Sequence, residues 1–211
     1  MPADPASTAI FLGILLFSLC VHEAAHAAMA YYCGDDTARL QGRLTLNPLA
    51  HIDPLGTVIL PLLLVILKAP FVFGWAKPVP FNPSKLNNVR RDPVLIAMAG
   101  PASNLFLALF FAFTGRIYFL LAGGPASVPT LIFDFFFNML LLNFILMLFN
   151  LIPIPPLDGH HVLNYFLPPR GQRAMQQIGP FGILIAIVLA RPLFAIAWPP
   201  LRSFIFAALG A

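Results

Sequence analysis

A chain of 211 residues that is 59% hydrophobic and only 9% charged, with a mean hydropathy of +0.86, has too much apolar surface for a soluble domain; its composition is that of an integral membrane protein. The net charge of +4 rests on twelve thinly spread Lys and Arg with no basic run longer than Arg90-Arg91. Positive-inside membrane topology accounts for that excess, and nucleic acid is not called for as a partner. No polar or charged linker interrupts the chain, so residues 1–211 read as one membrane domain.

The N-terminal residues MPADPAS carry Asp4 but no Lys or Arg, so the apolar run that follows lacks the basic start of a secretory signal and is expected to be retained. With Ser7 or Thr8 as cap, residues 8–32 predict a first spanning helix whose only formal charge is Glu23. Its C-terminal half contains His22-Glu23-Ala24-Ala25-His26. On a helix the two histidines share a face, so both rings can reach one metal ion, while Glu23 is turned by about a hundred degrees and is free to approach a metal-bound water. Ionisable groups at bilayer depth cost about 2–3 kcal/mol each even on the mildest scales, which argues that three within five residues are functional rather than packing groups. The two cysteines, Cys20 and Cys33, lie about 20 Å apart on a continuous helix and are not expected to pair.

Residues 33–54 are polar. Gly34 is a helix stop, and the alternation from Ala38 to Leu46 predicts a short strand or hairpin. His51 and Asp53 form a second polar pair, read first as capping or loop-holding groups, with a metal role for His51 as the alternative. Residues 55–67 are intensely apolar but short and interrupted by Pro61, which predicts a re-entrant segment or a poor span. The following aromatic and proline-rich stretch, with Gly74, Pro78, Pro80 and Pro83, predicts an extended edge strand. Residues 94–114 predict a span whose small residues Ala97, Ala99, Gly100, Ala102 and Ser103 admit close approach of another helix, with Asn104 as interhelical glue.

Residues 130–152 predict another span, containing Asp134, Asn138, Asn143 and Asn150. It ends at Pro153, Pro155 and Pro156, which place Asp158-Gly159 on an irregular turn at the membrane boundary, tolerable only in a protein interior or beside a wet cavity. Beyond Pro168 come a basic loop with Arg170 and Arg173, an apolar run at 178–190 and a proline-broken tail; one span and a half-span fit, with a packing role. The fold class is therefore an all-α polytopic membrane protein of about 4–6 segments, with a re-entrant or β-hairpin element near the active site.

A catalytic zinc takes three protein ligands and keeps a position for water. His22 and His26 supply two; His51, Asp53, Asp134, Asp158, His160 and His161 are candidates for the third. Asp158 is favoured because its proline-ordered turn stands at the depth of the first helix end, provided both ends face one side.

Taken together, HEAAH in an apolar helix, Gly100-Pro101-Ala102-Ser103-Asn104 in a central span, and the element from Asn150 to Gly159 resemble the site-2 proteases, a family of intramembrane zinc metalloproteases. Asn47-Pro48, Pro54 to Thr57 and Phe73 to Pro78 are similar to the compact bacterial branch, and no PDZ or CBS domain can be fitted. The resemblance implies that His22, His26 and Asp158 bind one Zn2+ per chain and that Glu23 is the general base. It implies further that Asn150 hydrogen-bonds the scissile peptide or its oxyanion. The substrate implied is a transmembrane protein or peptide met within the lipid. One departure is His160-His161 after Asp158-Gly159, where a second Gly is common; it gives His160 a rival role, beside Asp158 or on the metal. His51 and Asn104 remain candidates for supporting the ligands or contacting substrate.

If the HEAAH helix end, the Gly100-Pro101 helix start and the Asp158 turn share one membrane face, that face carries Arg39, Arg43, Lys77, Lys85, Arg90, Arg91, Arg170 and Arg173, with Arg116 opposite. The positive-inside rule then makes it cytoplasmic, in a bacterial cell membrane. The substrate has to be locally extended, and Gly74 to Phe81 or Arg39 to Leu46 is expected to hold it by strand addition. The rival class is a non-catalytic metal-binding membrane protein or metal transporter. It would need ionisable groups along a path through the bilayer, and the far half offers little beyond Asp134.

Overall fold

The structure, a computed structural model, describes residues 5–67 and 74–211, and no strand occurs among them. Among the described residues four helices are long and apolar enough to cross a membrane, at Ala6–Tyr32, Asp92–Leu121, Thr130–Asn150 and Phe181–Leu209. This is the expected all-α polytopic architecture. Two compact units divide the chain, Met1–Gly100 and Pro101–Ala211.

The first unit opens with α1 (Pro5–Tyr32), which stops at Gly34 in a left-handed conformation, φ +99°. A side chain there would also collide with Asn87. The predicted hairpin over 38–46 is absent: residues Thr37–Leu40 form a helical turn, α2, and the chain reverses at Gly42, φ +69°. Just before this turn stands Asp35, fully buried, whose carboxylate accepts hydrogen bonds from Thr37 N (2.9 Å) and Thr37 Oγ1 (2.5 Å) and from Asn82 N (2.5 Å). An Asp side chain that accepts from the backbone N–H two residues on forms an Asx turn, which competes with the extended conformation that the period-2 pattern calls for. Because Asn82 donates to the same carboxylate, Asp35 also ties the end of α1 to the segment that leads to the next span. Burial favours its neutral form, yet the three hydrogen bonds and the nearby Lys85 ammonium outweigh it and hold the carboxyl below its ordinary value.

Asp53 caps the next helix, accepting from Leu55 N (3.1 Å) and Gly56 N (2.7 Å). That helix begins as a π turn, Pro54–Ile59, and continues as α3 (Leu60–Ile66). The whole apolar element Pro54–Ile66 is about 20 Å long, short of the roughly 30 Å hydrocarbon core. The rest of the predicted re-entrant segment, residues 68–73, lies outside the described residues. Residues 74–81 are extended but form no ladder. One edge is engaged, with Trp75 N donating to Gly56 O (3.1 Å), Thr57 Oγ1 to Trp75 O (2.7 Å) and Lys77 N to His51 O (2.8 Å). Pro78 and Pro80 fall on the alternate edge, where they have no N–H to offer.

In the second unit, α4 (Asp92–Leu121, shared across the boundary at Gly100) and α5 (Thr130–Asn150) are followed by an irregular turn over residues 151–158. A short helix α6 (Gly159–Phe166) and a long helix α7 (Pro169–Leu209) complete it. Phe119, Leu140, Ile205 and Leu209 form its core, and the Phe119 ring meets Phe133 and Phe136 at 5.9 and 5.5 Å between centroids. Deeper in the span, Asn104 Nδ2 donates to Asn143 Oδ1 (2.9 Å) and Asn143 Nδ2 to Met139 O (2.8 Å). Both amides are fully buried, as the reading of Asn104 as interhelical glue anticipates. The tail, expected to be proline-broken, runs instead as one helix through Pro192, Pro199 and Pro200. Lipid offers no hydrogen bonds to a frayed backbone, so the helical state survives prolines that would end a helix in water.

Candidate metal centre

His22 and His26 stand one turn apart on α1, and each is more than nine-tenths buried, at 4% and 7% exposure. His26 Nδ1 lies 2.7 Å from the carbonyl oxygen of Ile96 on α4. A carbonyl only accepts, so Nδ1 carries the proton and Nε2 keeps its lone pair, the tautomer a metal ligand needs. That Nε2 lies 3.0 Å from His22 Nε2, with the rings at 84° to one another. Two imidazoles on one tetrahedral zinc hold their nitrogens about 3.3 Å apart, so the pair fits the ion with a shift of tenths of an ångström.

Gly100 makes room for the pair. A Cβ at this position would fall on Nε2 of both imidazoles. The small-residue surface of α4, read from sequence as a helix-crossing face, thus includes the seat of two rings. Glu23 is half-buried, one residue past His22. Beside it, Cys20 donates its thiol hydrogen to Leu46 O (3.1 Å), which fastens the polar loop after α2 to α1. Both cysteines are free and buried, as their spacing requires.

His51, 2% exposed, holds that same loop: its Nε2 is 2.9 Å from Thr45 O, and its Nδ1 is buried with no hydrogen-bond partner among the described residues. Arg43 Nη1 donates to Ala50 O in the same turn.

In the second unit, Asp158 is the last residue of the proline turn, immediately before α6. Gly159 behind it packs so tightly that a Cβ would fall on Leu151 O. His160 Nδ1 donates to Leu157 O (2.6 Å), which leaves its Nε2 as acceptor. Asn150 Nδ2 donates back to Leu146 O (3.0 Å), which engages one of its two N–H groups. Asp134 is half-buried near the start of α5. The Ile96 carbonyl and the seat at Gly100 escape sequence reading, the first because every residue has a carbonyl.

Paired imidazoles with a carboxylate alongside, sunk in an apolar span, define a membrane-embedded metallopeptidase centre. The model of peptidase family M50 matches residues 10–193, and the chain belongs to that family, the site-2 proteases. It is 42% identical over 193 residues to "Putative zinc metalloprotease YwhC" of Bacillus subtilis, which covers 90% of this chain and 84% of that protein. It is 33% and 32% identical to "Putative zinc metalloprotease Rip2" of Mycolicibacterium smegmatis and of Mycobacterium tuberculosis, spanning 63% of the length of each. No solved structure matches the chain significantly. As a member of this family the protein is a zinc metalloendopeptidase of the membrane, with Zn2+ as its cofactor.

Proposed function

We propose that the protein is an intramembrane endopeptidase that hydrolyses a peptide bond within or near a transmembrane segment of a membrane protein. The observation that carries this reading is the buried His22–His26 pair on an apolar span, with its tautomer preset by Ile96 O. The Nε2 atoms of His22 and His26 would hold the ion, with the Asp158 carboxylate as the third donor that the resemblance to the family implies; two imidazoles and one carboxylate are the set familiar from catalytic zinc. Bound there, zinc supplies a Lewis acid and lowers the pKa of water toward neutrality.

Glu23 takes the proton from the attacking water and delivers it to the leaving amine. Asn150 donates its remaining amide N–H to the substrate carbonyl oxygen as charge builds there. The apolar walls of α1 and α4 keep bulk water from the reacting groups and strengthen each of these interactions. In this reading His160 and His51 support the site, each anchored through one ring nitrogen, His160 on Leu157 O and His51 on Thr45 O. The substrate is met in the lipid, in a bacterial cell membrane, with the centre nearer the cytoplasmic face.

Zinc per chain and cleavage of a model transmembrane substrate, measured on wild type, Glu23→Gln and Asp158→Ala, test this reading. Glu23→Gln should keep its zinc and lose cleavage by about a hundredfold or more, and Asp158→Ala should lose zinc. Normal cleavage by Glu23→Gln refutes the general-base assignment.

A further inference from the structure

Nothing in the sequence of α7 suggests more than packing, yet this helix comes so close to the turn before Asp158 that no side chain fits between them. A Cβ at Gly182 would fall on the carbonyl oxygen of Pro155, 2.8 Å from its carbon and 3.1 Å from Ile154 Cγ2. One and two turns further on, Ala186 and Ala190 are buried against Ile152 and Leu157 of the same turn, with Ile183 and Phe194 packed beside them. Gly182, Ala186 and Ala190 recur every four residues and so form one ridge of a helix.

The closeness is specific to that ridge, because Gly179, three residues earlier, has nothing within 4 Å of where its Cβ would stand. On its other side the turn is pinned by Gly159 against Leu151 O and Ile152 O. Backbone oxygens thus meet a missing side chain on both flanks, and an added methyl at Gly182 has to push on main chain three residues before Asp158.

We propose that Gly182 is a positioning residue of the metal centre: seated on the Pro155 carbonyl, α7 sets where the Asp158 carboxylate stands. The proposal rests on the reading of Asp158 as third zinc ligand. The full-length protein in detergent micelles provides the test, through zinc affinity by chelator competition and the visible spectrum of the Co2+-substituted form, for wild type, Gly182→Ala, Gly179→Ala and Asp158→Ala. Alanine is the better helix former at both glycines, so helix propensity alone predicts no loss for either variant.

Gly182→Ala should bind zinc about tenfold or more weakly and show altered Co2+ bands, with Gly179→Ala like wild type. Wild-type affinity and spectrum in Gly182→Ala overturn the proposal, as does an equal loss in Gly179→Ala. Where Asp158→Ala loses zinc and Gly182→Ala does not, the positioning role alone falls. Where Asp158→Ala binds like wild type, the third-ligand reading falls and takes the positioning role with it. If Gly182→Ala is not monodisperse, Ala186→Gly, which removes one methyl from the same ridge, is measured instead: weaker zinc binding supports the proposal and wild-type binding overturns it.

Discussion

His26 is held in its metal-binding tautomer by main chain alone, since Ile96 O accepts from Nδ1 and leaves Nε2 beside that of His22. A ligand fixed in this way loses little rotamer freedom on binding an ion, and substitutions near such supports typically change metal affinity ten- to a hundredfold. Gly100 is the residue where this is most directly tested. Gly100→Ala places a methyl group on both rings, while alanine favours the helix by about 1 kcal/mol over glycine. The expected outcome is zinc affinity reduced by about tenfold or more, read by chelator competition, without a lowered Tm of the metal-free protein. A lowered Tm with unchanged affinity would contradict the role given to this glycine. His22, Glu23 and His26 were legible as a set because helical spacing alone puts two rings on one face. Gly100 was not, because its role lies in the space an absent side chain leaves, and that space belongs to another element.

Among the elements, the joint between α1 and the segment leading to α4 depends on a single carboxylate. Asp35 accepts from Thr37 and from Asn82, and its pKa is held below the ordinary value. A depressed folded-state pKa contributes stability that is present above the unfolded-state value, about 3.9, and is lost as pH falls through the folded-state value. Asp35→Asn presents an amide N–H to one of these donors, and leaving a buried donor unsatisfied costs about 1–3 kcal/mol. Thermal unfolding should show the variant less stable than wild type at pH 7, with the gap closing as the pH falls below the folded-state value; a gap independent of pH would refute the ionised form. The Asx turn at Asp35 is also why the alternation over Ala38 to Leu46 misled: side-chain period is a weak preference beside three hydrogen bonds to a buried charge. The continuity of α7 through Pro192, Pro199 and Pro200 was hidden for a related reason, since proline's helix-breaking reputation is a property of helices in water.

For the molecule as a whole, four spans and a short apolar helix give a topology that charge can orient. The orientation proposed above assigns Arg39, Arg43, Lys77, Lys85, Arg90, Arg91, Arg170 and Arg173 to the cytoplasmic side and Arg116 to the opposite one, as the positive-inside rule requires. Membrane-impermeant maleimide should label Gly124→Cys in intact cells, and Lys85→Cys and Arg173→Cys only after permeabilisation; the opposite pattern would invert the orientation. The all-α polytopic class and the order of the long spans were readable from hydropathy, whereas the supports of the centre were not, because so many of them are backbone. His26 bonds to Ile96 O, Asn150 to Leu146 O, His160 to Leu157 O, His51 to Thr45 O and Cys20 to Leu46 O. A carbonyl is inherited whichever amino acid a codon specifies, so an exchange at position 96, 146, 157, 45 or 46 keeps the acceptor itself, and what constrains Ile96 and Leu157 is the packing of their buried side chains. Genetic fragility is left to the side chains that donate and to the glycines that make room.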